Sequence, residues 1–198
     1  YFVTLTLPIF LHFVNTPKYV IKKEDPVFSF LINGITSAFK TAEILTYTDS
    51  NGFFNGTLYY DVFYAYNSIM ILTLTYILFK TSKDRQHLNT DNSNSDPASN
   101  NNNHSSHDGN MIDLEFLDKE HQINLTTLLN AINLIRNLIL NNLYKIDGTM
   151  KRMSFIIETI LQDLGIIQIL VQVYGAVPSN VRNIEEKGEA GKTSVGTA

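Results

Sequence analysis

"NGFFNGTLYYDVFYAYNSIMILTLTYILFK", residues 51–80, decides how the chain is read, because from Leu58 to Phe79 it carries a single formal charge, Asp61, and is crowded with tyrosine. A membrane span needs about 20 predominantly apolar residues, and this stretch meets that length, with Lys80, Lys83 and Arg85 just beyond it. Polar side chains nevertheless run through its middle: Asp61, Tyr64, Tyr66, Asn67, Ser68, Thr73, Thr75 and Tyr76. Interfacial aromatic residues would instead gather at the two ends of a span. A helix over residues 58–80 with apolar groups on nearly every face is predicted to be surrounded by other elements. Its tyrosine hydroxyls would then reach polar partners at the edge of a core. Tyr59, Phe63, Tyr66, Met70 and Thr73 recur at helical spacing, and such a stripe is more often core than a ligand face.

Around this helix the segments read as helical too. Tyr1–Val14 is apolar, interrupted by Pro8, and gives a first short helix. Pro26 suits a first helical turn, where its missing N–H is no loss. From there Phe30, Ile35, Ala38, Ala42 and Leu45 share one face, so an amphipathic helix is predicted over residues 26–47, with a weak spot at Gly34. "TDSNG", residues 48–52, reads as a turn, and Asn55 and Gly56 as a second break. Helical periodicity returns with Leu125, Leu128, Leu129, Ile132, Ile135, Leu138, Ile139 and Leu143, opposite Asn130, Asn133, Asn137 and Asn141. Asp147 and Gly148 supply a turn, Phe155, Ile156, Ile160 and Leu164 form a further apolar stripe, and Gly165 marks its end or a bend. Residues 166–174, "IIQILVQVY", fit a helix or a buried strand equally well.

Between the halves, residues 81–111 collapse into "TSKDRQHLNTDNSNSDPASNNNNHSSHDGN" and one further residue. With so little apolar surface the segment cannot offset its ordering entropy, so a disordered Asn/Ser-rich loop is expected. The organisation is therefore a first helical half at 1–80, the loop at 81–111, a second helical half at 112–177 and a flexible tail at 178–198. The fold class is all-α, an irregular helical array with a long disordered insertion.

Composition narrows the function classes. In 198 residues, 44% are apolar, enough for a sizeable core. Charged residues make up only 17%, below the roughly 25% usual for soluble domains, so Asn, Ser and Thr carry much of the surface. A net charge of -4 provides no basic stripe for a phosphate backbone, and direct DNA binding by this chain is not expected. With no cysteine, disulfides and thiolate zinc sites are excluded. The chain opens at Tyr1 without a basic n-region, so it does not read as a signal peptide and is taken as part of a longer protein.

No motif nominates a catalytic, cofactor or metal residue. "GEAGKTS" resembles a phosphate-binding loop, but the position that requires the first glycine is Glu186, and too little chain follows Thr193 for the helix such a loop needs. His104, His107 and Asp108 have ligand chemistry but sit in the Asn/Ser tract, without a second shell to orient them. His12 and His121 stand alone, and Glu43, Asp61, Glu115, Asp118, Glu158 and Asp163 form no recognisable pair. No Gly-x-Ser-x-Gly elbow is present. Glycosylation sequons at Asn55, Asn103 and Asn124 arise readily in an Asn-rich chain. The expectation is therefore a non-enzyme.

The stretch "DPVFSFLINGITSAFKTAEILTYTDSNGFFNGTLYYDVFYAYNSIMILTLTYIL" resembles the later part of the middle homology region of fungal binuclear zinc-cluster transcription factors. There a helix with small residues, ending in an Ile-Leu pair, leads through a Gly-containing break to an aromatic-rich helix and a variable loop. "LLNAINLIRNLILNNLYKIDGTMKRMSFIIETILQDLG" is similar to the helices that follow in that family. The likeness covers residues 1–164 and lies in hydrophobic pattern rather than in invariant motifs. It implies an all-α regulatory region of a nuclear transcription factor, which restrains activation or receives a small-molecule effector. Zinc and DNA would belong to a cysteine cluster outside this chain. Partners would be other regions of the same protein or transcriptional co-regulators, with no membrane involved. The alternative is a membrane-associated helical fragment with a span at 58–79.

Overall fold

A computed structural model of the chain describes residues 8, 26–54, 59–91, 114–143, 146 and 148–175. Among the described residues six helices of known bounds follow one another: α1 (Pro26–Ser50), α2 (Tyr59–Asp91), α3 (Leu114–His121), α4 (Leu125–Asn141), α5 (Gly148–Asp163) and α6 (Ile166–Tyr174). Among the described residues there is no strand, and the protein is all-α. The open choice at residues 166–174 resolves as helix.

α1 begins at Pro26 as its φ restriction favours, and buries Phe28, Leu31, Ile32, Ile35, Ala38, Ala42 and Leu45. Small residues at 34, 38 and 42 let a neighbour approach, so Gly34 lies buried in the helix rather than breaking it. The helix runs three residues past the expected end at 47, to Ser50. Thr46, Thr48 and Ser50 hydroxyls donate to carbonyls one turn back, which satisfies their hydrogen-bonding groups inside the helix. Gly52 then takes φ 72, the left-handed region that ends helices most cheaply with glycine, and Phe53 and Phe54 N–H groups return to the Thr48 carbonyl.

α2 is the hub, packing on α1, α4 and α5, while α1 and α4 also touch each other. Between Val62 and Phe79 most of its side chains are buried, with Phe63, Met70 and Ile77 half-buried and Tyr64 exposed. Among the described residues Tyr60–Thr81 is the single helix long and apolar enough to cross a membrane, and 78% of its most apolar stretch is buried by the rest of the fold. Two polar groups inside it find partners one turn back, Asn67 Nδ2 donating to the Phe63 carbonyl at 2.8 Å and Thr75 Oγ1 to the Ile71 carbonyl at 2.8 Å.

Two sequence expectations need correction. Residues 81–91, assigned to a disordered loop, form the last turns of α2. Extending an existing helix costs far less than nucleating one, and Lys, Arg, Gln and Leu in this stretch are good helix formers, so composition alone underrated it. The remainder of the expected loop, residues 92–111, lies outside the described residues, as do the tail at 178–198 and, apart from the helical Pro8, the short helix expected at 1–14. The second correction concerns α5. Phe155 and Ile156, assigned to its apolar stripe, are 45% and 58% exposed, whereas Ser154, Ile157 and Leu161 are buried. The inward face of α5 is partly polar, so a search for apolar periodicity selected the wrong side.

Candidate functional site

The described residues offer one polar constellation, a seam where α5 meets α2 and α4. Ser154 and Glu158 stand four residues apart and so occupy one face of α5. Ser154, 2% exposed, hydrogen-bonds the phenol of Tyr66 on α2, itself 1% exposed. One turn on, Glu158 accepts two bonds from Arg136 of α4, Oε1 from Nε and Oε2 from the terminal guanidinium nitrogen, each at 2.8 Å. This fork-to-fork geometry is the strongest form of ion pair. The Arg136 side chain is 9% exposed and that of Glu158 26%, so the cation lies in the seam and the carboxylate at its rim.

Burial holds the Tyr66 phenol above its ordinary value of 10.0, with its hydrogen bonds to Ser154 pulling the other way. The phenol therefore stays protonated at neutral pH and is no base for Ser154, whose hydroxyl is occupied by that contact. Arg136 and Glu158 likewise satisfy each other. The chemistry of the seam is docking: it fixes the position and rotation of α5 by bonds that apolar contacts cannot supply.

A second polar contact joins the ends of two core helices. Asn142 Nδ2 donates to Asp49 Oδ1 at 2.9 Å and to the Leu138 carbonyl at 3.0 Å, tying the end of α4 to the end of α1. The N-terminus of α4 is capped by Asn124: its Oδ1 accepts from the Thr127 N–H at 3.0 Å, Thr127 Oγ1 accepts from the Asn124 N–H at 3.0 Å, and Asn124 Nδ2 donates to Asp118 Oδ1 at 2.9 Å. The sequon at Asn124 is thus a capping box built with threonine in place of the usual glutamate. Asn-x-x-Thr ahead of an apolar run was the signal for this start in the sequence, whereas α3 was passed over by periodicity.

The other singled-out residues stay apart. Glu43 and Asp163 are exposed on α1 and α5, Asp61 is half-buried in the first turn of α2, and His121 is exposed at the end of α3. Among the described residues no three His, Cys, Asp or Glu side chains converge as a metal set. His12, His104, His107, Asp108 and the "GEAGKTS" stretch lie outside the described residues. Sequence reasoning found neither Tyr66–Ser154 nor Arg136–Glu158, since each joins helices far apart along the chain. Compared with models of known families, with curated proteins and with solved structures, the chain finds no match.

Proposed function

We propose that this chain is a regulatory region of a transcription factor of the fungal zinc-cluster type, acting by helix packing rather than catalysis. The observation that carries the reading is the all-α array in which an aromatic-rich hub helix is enclosed by its neighbours, the architecture that the sequence resemblance implies. The polar seam supports the same reading, because its groups hold helices against one another. In this proposal an effector, a co-regulator or a neighbouring region of the same nuclear protein binds one packing of the helices more tightly and so shifts their populations. Zinc and DNA contacts belong to a segment other than this chain.

A reporter assay tests it. The chain is fused between a heterologous DNA-binding domain and an activation domain, and reporter output is compared with that of a fusion carrying a flexible linker of equal length. The expected result is a clear change in output at equal protein level, reversed when the hub is broken by Leu72→Asp. Identical output from both fusions refutes the proposal.

A second reading is favoured by one observation, the length and apolar composition of Tyr60–Thr81. In it the chain is a membrane-associated fragment, and the hub is a span enclosed by partner helices. Expression without detergent separates the two: a soluble, cooperatively melting helical species excludes the span, and recovery only in micelles supports it.

A further inference from the structure

We propose that Asn51–Gly52, at the end of α1, is a site of spontaneous covalent modification: in the folded chain Asn51 deamidates to aspartate and isoaspartate, and the new carboxylate loosens the tie between α1 and α4.

The reaction needs no enzyme. The Gly52 backbone nitrogen loses its proton and attacks Cγ of Asn51. A C–N bond forms there, the bond from Cγ to Nδ2 breaks, and ammonia leaves behind a cyclic imide. Water then opens the ring at either carbonyl, so that the main chain runs through the α-carbonyl in one product and through the side chain in the other. Glycine after the asparagine speeds the first step, because no Cβ shields the attacking nitrogen.

α1 contains a second such pair, Asn33–Gly34, so the structure and not the dipeptide decides which one reacts. Both asparagine side chains are exposed. Gly34, however, is buried in the middle of α1, where its nitrogen is a rung of the helical ladder that only unfolding of the surrounding turns releases. Gly52 is exposed beyond the last turn, with nothing within 4 Å of the place a Cβ would occupy. Two hydrogen bonds hold this pair in its resting geometry. The Gly52 N–H donates to the Asp49 carbonyl at 2.9 Å, and Asn51 Nδ2 donates to the Tyr47 carbonyl at 2.8 Å. At an exposed helix end water replaces a broken bond, so the two together slow the reaction by only about 10- to 100-fold relative to an unfolded chain.

A carboxylate at position 51 changes the end of α1. It cannot donate to the Tyr47 carbonyl as the amide does, and it adds negative charge at the negative end of the helix dipole, two residues from Asp49. Asp49 Oδ1 is the acceptor that Asn142 of α4 uses, and the Phe53 and Phe54 N–H groups return to the Thr48 carbonyl across the same turn. Isoaspartate also lengthens the main chain by one carbon within that turn, which puts those return bonds out of register.

Incubation of the whole chain at mildly alkaline pH, followed by ion exchange and peptide mass spectrometry, tests the site, with short unfolded peptides carrying each pair as references. The expected result is conversion of Asn51 in the native chain about 10- to 100-fold slower than in its peptide. Asn33 should be at least about a thousandfold slower than in its own peptide and should catch up in urea. Fragment spectra separate Asn51 from the neighbouring Asn55–Gly56 pair. Retention of Asn51 to the same extent as Asn33 in the native chain overturns the proposal. Asn51→Asp supplies one product directly. In it the Phe53 and Phe54 amides and the Asn142 side-chain amide should exchange hydrogen several-fold faster than in wild type, with Ile69 and Leu72 of α2 unchanged. Exchange at the wild-type rate in all three overturns the loosening of the α1–α4 tie.

Discussion

Glu158→Ala should expose how much the seam contributes. The substitution removes the carboxylate from a guanidinium whose side chain is 9% exposed, leaving two donors that were bonded at 2.8 Å facing a largely desolvated space. Breaking a buried ion pair costs about 3–5 kcal/mol, chiefly from the stranded charge. Glu158 lies at the rim, 26% exposed, so water reaches part of the vacancy. The expected loss is therefore below that range, about 2–3 kcal/mol, a large share of the roughly 5–15 kcal/mol that separates a folded domain from its unfolded chain. Replacing both partners, Arg136→Met with Glu158→Leu, removes the stranded charge and fills the same volume with apolar atoms, and should recover most of the loss. The assay is urea unfolding followed by far-ultraviolet circular dichroism for wild type, Glu158→Ala, Glu158→Leu, Arg136→Met and the double variant, wild type and the last three being read as a cycle. A Glu158→Ala loss below about 0.5 kcal/mol, the size of an ordinary surface substitution, would refute the reasoning. It would mean that Arg136 is solvated when its partner is gone and that the pair does not hold α5.

Three further outcomes follow from the same structure. The Tyr66 phenol is harder to ionise when folded than when unfolded, so its contribution is complete below pH about 10 and is lost as pH rises further, because the unfolded chain then releases a proton that the native state retains; the alkaline limb of a stability–pH curve should flatten in Tyr66→Phe. Asn124→Ala removes the cap of α4 and should cost about 1 kcal/mol in the same urea assay, whereas Asn124→Asp keeps the acceptor but sets a second carboxylate against Asp118 and should fall between wild type and alanine. Ser68 Oγ is buried on α2 without a hydrogen-bond partner, so Ser68→Ala removes a desolvated hydroxyl and should leave the melting temperature equal or higher, a fall of several degrees contradicting it.

Much of the fold was legible residue by residue. Pro26 marked the start of α1, Gly52 the turn after it and Gly165 the bend between α5 and α6, and the Leu/Ile periodicity from Leu125 to Leu143 gave the core face of α4, with Asn130 and Asn141 outward. These are local signals: a φ preference, a missing N–H, a spacing of three or four residues. The seam was not legible, since Tyr66 and Ser154 are 88 residues apart and nothing in either neighbourhood announces the other. α5 misled for the same reason, because its inward face is chosen by partners on α2 and α4 and not by its own hydrophobicity.

The sequence by itself determined that this protein is helical, about where α1, α2, α4 and α5 begin, and that it holds an apolar, tyrosine-rich helix, because each of these follows from short-range sterics and periodicity. Only the tertiary structure decided that the central segment is enclosed by α1, α4 and α5, that Ser154 rather than Phe155 faces inward, and that residues 166–174 wind as a helix. Those outcomes depend on which surfaces meet in space, and a helix long and apolar enough for lipid is equally suited to a protein core until its neighbours are in place.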